Sequence, residues 1–166
     1  MRISRITISF GLLIVLSASF ARPLLFYFFE KLGVAQTEIA LGLFFILLSC
    51  LSTIYIFKQA LPAYRKLSFL LLFVPGLILT MKIPIFAERI HILEYGLLGW
   101  LAMNDNLKAG LRLRFIVSSL LIVLFFSALD EEFQFFLPQR VSDLQDVFLN
   151  FLGGSWGIGL FLLKKH

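Results

Sequence analysis

The feature that most constrains the fold is a series of six long apolar segments that occupy most of the chain. They are residues 6–21, 39–57, 67–81, 90–103, 115–129 and 147–163. A helix of about 20 apolar residues is long enough to cross the hydrocarbon core of a bilayer. Hydrophobic residues make up 60% of the 166 residues, more than a soluble core of this size accommodates. The sequence therefore predicts an all-α, polytopic transmembrane bundle of about six helices, with residues 1–166 forming a single membrane domain.

Two regions leave the number of helices open. The third and fourth segments are short, and Pro75-Gly76 inside the third can kink or break a helix, so a re-entrant pair would leave five spans. The N-terminus, with Arg2, Arg5 and an apolar stretch that ends at residues 19–21, resembles a cleavable signal peptide. We expect a retained anchor helix instead. The apolar run 24–29 is too short to span, so we expect it at the interface or as an extension of the first helix.

The distribution of charge predicts the orientation, because Lys and Arg are retained on the cytoplasmic side of short loops. With the N-terminus inside, ten basic residues fall on the cytoplasmic side, and Arg22, Lys31, Lys82, Arg89 and Arg140 fall outside. Of the ten acids, nine fall outside or at the outer ends of helices. The sequence predicts a multi-pass membrane protein, with both termini cytoplasmic and a working site at the outer surface.

Two classes of protein are disfavoured by composition. The basic residues lie singly or in small groups between apolar segments rather than in one stripe, which argues against a nucleic-acid partner. The single cysteine, Cys50, excludes an intramolecular disulfide and suggests no thiolate metal site.

The first candidate site segment precedes and enters the fourth apolar segment. Helical spacing places Glu88, His91 and Tyr95 on one face, and Glu94 follows His91 by three residues. Carboxylates on both sides of His91 would favour its protonated form and fix its orientation. A hydrogen-bonded interfacial histidine explains the same pattern equally well.

The second candidate segment leads out of the fifth apolar segment and into the sixth. Ionisable residues beside apolar runs are costly unless they are partnered, which makes such a cluster a candidate functional site. Its polar and turn residues are, in order, Asp130, Glu131, Gln134, Pro138, Arg140, Asp143, Asp146 and Asn150. The following Gly153 and Gly157 are spaced for close helix packing, so we interpret them as structural.

These two segments together resemble the two signatures of the VanZ-like family. The resemblance rests on Glu88-Arg89-x-His91-x-x-x-Tyr95-x-x-Leu98-Gly99 and on the spacing from Asp130 through Arg140 to Gly157, and it covers residues 82–163. It implies a small multi-pass protein of the bacterial inner (cytoplasmic) membrane, in a family whose name-giving member is associated with teicoplanin resistance and most of whose members have no assigned reaction. Glu88 stands where the family commonly has Asp, and Gln139 where Gly is usual.

The chemistry of the residues suggests a role for each. His91, Asp130 and Glu131 are the candidate catalytic residues, because neighbouring acids beside an imidazole can form an acid and base pair. Arg140 is suited to clamp a phosphate or carboxylate, or else it is a loop charge paired with Asp143 or Asp146. Asp130 and Glu131 have the alternative of capping helix ends. The candidate ligand-binding residues are Glu88, Glu94, Tyr95, Gln134, Arg140, Asp143, Asp146 and Asn150.

No metal or cofactor is expected. A Glu-x-x-His helix can ligate a metal, but two such helices are normally needed and the other histidine is the terminal His166.

Three functions remain open. The first is an outward-facing membrane protein that acts on or binds a lipid-linked glycan or lipoglycopeptide of the cell envelope, with teicoplanin resistance as one form of that role. The second is a non-catalytic accessory subunit of a membrane protein complex. A carrier is the weakest, because the acids gather at one face. The expected partners are membrane lipids, a lipid-linked glycan or glycopeptide, and other membrane proteins.

Overall fold

The computed structural model describes residues 3–83, 86–106, 113–137 and 143–165, which form six helices. The all-α bundle predicted from the sequence is confirmed. Each predicted apolar segment lies within one helix, and each helix extends beyond its segment at both ends. The helices are α1 (Arg5–Leu32), α2 (Val34–Lys58), α3 (Ala63–Lys82), α4 (Phe86–Asn106), α5 (Leu113–Phe135) and α6 (Leu144–Lys165).

Four of these helices, α2, α3, α5 and α6, are long and apolar enough to cross a membrane. Helix α1 is a fifth if its two parts, which are bent by 48° between Ala21 and Pro23, form one span. A bend there is expected because proline has no backbone N–H to continue the hydrogen-bond ladder. The run 24–29 thus extends the first helix, and α3 continues through Pro75 as one helix of 20 residues.

Helix α4 differs from the others in composition and position. Its 21 residues are about 32 Å long, enough to cross a bilayer, but Glu88, Arg89, Glu94 and Asp105 make it too polar to face lipid along its length. It is instead enclosed by other helices, and its residues Tyr95, Leu98, Ala102 and Met103 are fully buried. The helix that contains the first candidate segment is therefore an interior helix of the bundle.

Glycines allow α4 and α6 to pack with their backbones in contact. A Cβ atom added at Gly153 would lie 2.6 Å from the carbonyl oxygen of Ile92. One added at Gly99 would clash with the carbonyl of Gly154, and one at Gly157 with the carbonyl of Gly96. In a membrane, where lipid tails are as apolar as the helices, such close packing is a main source of helix association. The interpretation of Gly153 and Gly157 as packing residues agrees with this geometry.

Contacts between distant residues define two ends of the bundle. Asp105 Oδ2 accepts hydrogen bonds from the backbone N–H of Ser4 at 2.8 Å and from the Thr7 hydroxyl at 2.7 Å, so the start of α1 lies beside the end of α4. The Lys164 ammonium donates to the Tyr55 hydroxyl at 2.9 Å, which joins the ends of α6 and α2. We call this the basic end. The opposite end, with the starts of α4 and α6 and the end of α5, is the acidic end.

Candidate functional site

The acidic end brings together the two polar segments that are separate in the sequence. Asp130 of α5 is fully buried against α4, where its Oδ2 lies 3.1 Å from the hydroxyl of the fully buried Tyr95. The same hydroxyl lies 3.2 Å from the carbonyl oxygen of Phe126. Because a carboxylate in an apolar interior is costly unless it accepts hydrogen bonds, Tyr95 stabilises Asp130 at this position. The expected meeting of the two segments is therefore present in the structure.

His91 lies one helical turn before Tyr95, closer to the surface of the acidic end. Its Nδ1 is 3.5 Å from Glu94 Oε2 and 3.9 Å from Asp130 Oδ2. The side chain of His91 is 13% exposed and that of Glu94 is 28% exposed, whereas Asp130 is sealed from the surface. Exposure to the surface thus increases from Asp130 through His91 to Glu94. The buried carboxylate lies behind an imidazole whose edge reaches the surface.

Glu131 faces a different neighbour from Asp130. Its Oε2 accepts the backbone N–H of Asp143 at 3.0 Å, and its Oε1 lies 3.5 Å from the amide nitrogen of Gln134. Glu131 and Gln134 are both buried. This contact fastens the residue before α6 to the last turns of α5, so Glu131 has a structural role of the kind that the helix-capping alternative described.

The start of α6 is capped by one of the predicted ligand-binding residues. Asp143 Oδ1 accepts the backbone N–H of Gln145 at 2.9 Å, which satisfies one of the unpaired amides that every helix start presents. Asp143 and Asp146 also lie near Glu88, which precedes the apolar part of α4. The pKa of the Glu88 carboxyl is raised above its usual value, mainly by partial burial and to a smaller extent by the negative charges of Asp146 and Asp143. Glu88 therefore faces the start of α6.

Asn150 is the most unusual of the predicted residues. It is only 1% exposed, and neither its amide nitrogen nor its amide oxygen has a hydrogen-bond partner within the described ranges. Buried amides are normally paired, since burying an unpaired one costs on the order of 1–3 kcal/mol. Asn150 follows Asp146 by one helical turn, so it places unused hydrogen-bonding capacity beneath the acidic surface.

Several parts of the predicted site remain predictions. Pro138, Gln139 and Arg140 lie outside the described residues, so the clamp proposed for Arg140 is untested. Within the described ranges, no group of three or more His, Cys, Asp or Glu side chains has the arrangement of a metal site.

Sequence reasoning overlooked the polar cluster at the basic end. Asp105 bridges α4 and α1, and Asn106 donates from its side-chain amide to the Ser119 hydroxyl at 3.0 Å. The signal available in the sequence was the position of Asp105 as the single acid predicted on the cytoplasmic side. Its partners, Ser4 and Thr7, lie about a hundred residues away and could not be identified from local pattern.

The fold and the site define a class of protein: a small polytopic helical membrane protein with a buried acid, imidazole and phenol cluster at one end of its bundle. The family model described as VanZ/LLP1 matches residues 7–165, nearly the whole chain, and the protein belongs to that family. The match extends beyond the residues 82–163 on which the sequence resemblance rested, and it takes in α1, α2 and α3. No curated protein and no solved structure matches the chain.

Proposed function

We propose that this protein binds or acts on a lipid-linked glycan or a lipoglycopeptide of the bacterial cell envelope, at the acidic end of its bundle. The single observation that carries the proposal is the placement of His91. Its Nδ1 lies 3.5 Å from a carboxylate oxygen of Glu94 and 3.9 Å from one of Asp130, and its side chain is 13% exposed. Carboxylates beside a ring nitrogen can fix the tautomer and orientation of an imidazole, and the exposed edge of the ring is available to a ligand or to proton transfer.

The chemistry of the cluster suits a ligand that is rich in hydroxyl and amide groups. Carboxylates accept hydrogen bonds, and an imidazole can donate or accept. His91 and Glu94 are the accessible members, so they are the residues that would touch a ligand. Asp130 is sealed behind them and acts as a positioning residue for His91, in contrast to the direct catalytic role that its sequence position suggested.

The choice of an envelope ligand rests on orientation. More of the described basic residues lie toward the basic end, which the positive-inside rule therefore assigns to the cytoplasm. Those at the basic end are Arg5, Lys58, Arg65, Lys66, Arg114 and Lys164, and those at the acidic end are Lys31, Lys82 and Arg89. The acidic end then faces the envelope, where lipid-linked glycans and glycopeptide antibiotics are encountered. The resemblance to the VanZ-like family adds teicoplanin, a lipoglycopeptide, as a specific candidate, and a contribution to teicoplanin resistance is part of the proposal.

A second candidate function is a non-catalytic accessory subunit of a membrane complex. It is favoured by hydrogen bonds that both acids already accept within the bundle. Asp130 accepts one from the Tyr95 hydroxyl, and Glu131 accepts one from the Asp143 backbone amide. In that case the same residues hold α4, α5 and α6 together. The two candidates predict different effects of removing the His91 imidazole, which lies at the edge of the network. Ligand binding is lost if the first is correct and is unchanged if the second is correct.

The test uses teicoplanin as the probe. Purified protein in mild detergent is titrated with teicoplanin and with vancomycin, which lacks the lipid tail, for the wild type and for His91→Ala. The matched control is Ser118→Ala, because Ser118 is half-buried on α5, far from the acidic end, and its hydroxyl donates to the Arg114 carbonyl of its own helix. The proposal expects teicoplanin to bind more tightly than vancomycin, with a loss of about tenfold or more in His91→Ala and none in Ser118→Ala.

A parallel measurement is made in cells. A teicoplanin-sensitive bacterium expressing each variant is assayed for the minimum inhibitory concentration, with protein levels checked by immunoblot. Equal binding by wild type and His91→Ala, together with unchanged protection of cells, would overturn the ligand-site proposal. Co-purification with a fixed membrane protein that is lost in Tyr95→Phe would favour the accessory role.

A further inference from the structure

A cavity lies between α2, α3, α4 and α6. Its volume is about 500 Å³, within the range of about 300–1,000 Å³ that is typical of small-molecule sites. None of the described acidic-end residues lines it. We call it the lateral groove.

The lateral groove extends from the middle of the bundle toward the basic end, since its lining on α4 runs from Leu93 to Trp100, about the middle of that helix. On α2 it is lined by residues between Leu48 and Ile56, close to the last residue of that helix, and on α6 by residues between Trp156 and Leu160. Eight residues along α2 correspond to about 12 Å, which is close to the depth of about 15 Å that one leaflet contributes to the hydrocarbon core. The groove therefore has the length of one leaflet rather than of the whole membrane.

The wall of the groove offers almost no polar contacts. Ser49 and Ser52 line it, but their hydroxyls donate to the carbonyls of Phe45 and Leu48 in their own helix, at 2.7 Å and 2.8 Å. The Trp156 indole N–H donates to the carbonyl of Leu72 at 3.0 Å. A hydrocarbon chain fits such a wall, whereas a polar ligand would leave its own groups unpaired.

The groove is open toward the surrounding lipid. Leu51 and Tyr55 of α2 line it and remain 53% and 50% exposed, and Leu97 of α4 is 48% exposed. A chain can therefore enter sideways from the bilayer.

Lys164 provides a cation at the basic end of this groove. Its ammonium lies 4.8 Å from the centre of the Tyr55 ring and 5.3 Å from that of Trp100, both of which line the groove. One of its N–H groups donates to the Tyr55 hydroxyl, and no carboxylate of the described residues is paired with it. Two of its three donors are thus available to an anion, and the Tyr55 hydroxyl retains its own proton to donate.

From this arrangement we infer that the lateral groove binds one anionic glycerophospholipid of the leaflet at the basic end, with its phosphate at Lys164 and Tyr55 and an acyl chain along α2 and α4. Charge complementarity favours this occupant, because Lys164 is a cation at the basic end of the groove and no described carboxylate is paired with it. A zwitterionic lipid would also place a cation near Lys164, so an anionic headgroup is preferred.

The experiment is native mass spectrometry of the full chain in detergent, with equal amounts of dioleoyl phosphatidylglycerol and dioleoyl phosphatidylcholine. The wild type is expected to retain phosphatidylglycerol preferentially. Lys164→Gln is expected to reduce that preference about fivefold, as for one lysine near a membrane surface. Lys66→Gln is the matched control, because Lys66 lies at the same end but its ammonium bonds to the Phe57 carbonyl outside the groove. It is expected to keep the preference.

A second pair of variants tests the groove itself. Ser52→Trp places a bulky ring inside the groove and is expected to reduce the bound lipid of either type, while Ile54→Trp, on the same helix but outside the lining, leaves it unchanged. Thermal unfolding of each variant confirms that it is folded. Equal retention of the two lipids by the wild type would overturn the inference, as would full phosphatidylglycerol preference in Lys164→Gln or unchanged lipid retention in a folded Ser52→Trp. Because none of these variants alters the acidic end, failure here leaves the proposed envelope ligand untouched.

Discussion

The Tyr95 hydroxyl lies 3.1 Å from Asp130 Oδ2, and both side chains are completely buried. This pair joins the interior helix α4 to α5 and lies directly behind His91. It determines whether the Asp130 carboxylate can remain in the interior and face the imidazole. Several expected outcomes follow from this pair and from the contacts around it.

Replacement of Tyr95 by Phe removes the hydroxyl while it keeps the ring. Asp130 then loses a hydrogen-bond donor in a buried position, so we expect the free energy of unfolding to fall by about 1–3 kcal/mol. Thermal or SDS-induced unfolding in detergent measures the change. Tyr64→Phe is the control, because Tyr64 is 64% exposed, and it should have little effect. An unaltered unfolding transition in Tyr95→Phe would show that the pair does not stabilise the bundle.

Neutralising each of two neighbouring acids on α5 should change the stability of the protein by different amounts. Glu131→Gln weakens the hydrogen bond from the Asp143 backbone amide, which holds the start of α6, and a loss of about 1.5–3 kcal/mol is expected for a bond to a charged group. Glu132 is the next residue and is exposed, so Glu132→Gln should leave stability within about 0.5 kcal/mol of the wild type. Unfolding of the two variants side by side gives the comparison, and equal effects would refute the structural role of Glu131.

Glycine substitutions should separate packing positions from neutral ones. Gly157→Ala places a methyl group against the backbone carbonyl of Gly96, which cannot move away without shifting the helix. We therefore expect the free energy of unfolding to fall by about 1–3 kcal/mol. Gly42 of α2 has nothing within 4 Å of an added Cβ, so Gly42→Ala should be neutral or slightly stabilising. The unfolding midpoints in detergent and the yield of monodisperse protein report both effects. A stable Gly157→Ala variant would contradict the close approach of α4 and α6.

The predicted orientation can be tested by cysteine labelling. The native Cys50 is first replaced by Ser, and single cysteines are then introduced at the exposed residues Gln145, near the acidic end, and Tyr64, near the basic end. In intact cells, a membrane-impermeant maleimide should label Gln145→Cys, whereas Tyr64→Cys should react only after permeabilisation. The reverse pattern would place the acidic end in the cytoplasm and would remove the basis for an envelope ligand.

The helices of this protein could be predicted from the sequence because the signal is local. In lipid, the backbone N–H and C=O groups of a long apolar run must find hydrogen-bond partners within the run itself. A helix provides those partners without reference to the rest of the chain. The six predicted segments therefore each coincide with one helix, and the continuation of α1 past Pro23 was among the expected outcomes. Helix ends were less well predicted, because they depend on caps such as Ser4 and Asp143.

The sequence predicted part of the arrangement of the candidate residues. Sequence spacing placed His91 and Tyr95 on one face of α4, and both indeed face Asp130. The expected flanking of His91 by Glu88 was less informative, because Glu88 lies near Asp143 and Asp146 at the start of α6. Which helix packs against which face is a property of the whole bundle, so a single helical segment cannot specify it.

The sequence by itself determined a helical membrane protein with its acids gathered toward one end, because hydrophobic length and charge placement act segment by segment. Tertiary structure alone decided that Asp130 faces Tyr95 and His91 while the adjacent Glu131 fastens the start of α6. Consecutive residues of a helix project in directions about 100° apart, so two neighbouring carboxylates meet different partners only once the surrounding helices are in place. The pairing of Lys164 with Tyr55, 109 residues apart, arises for the same reason.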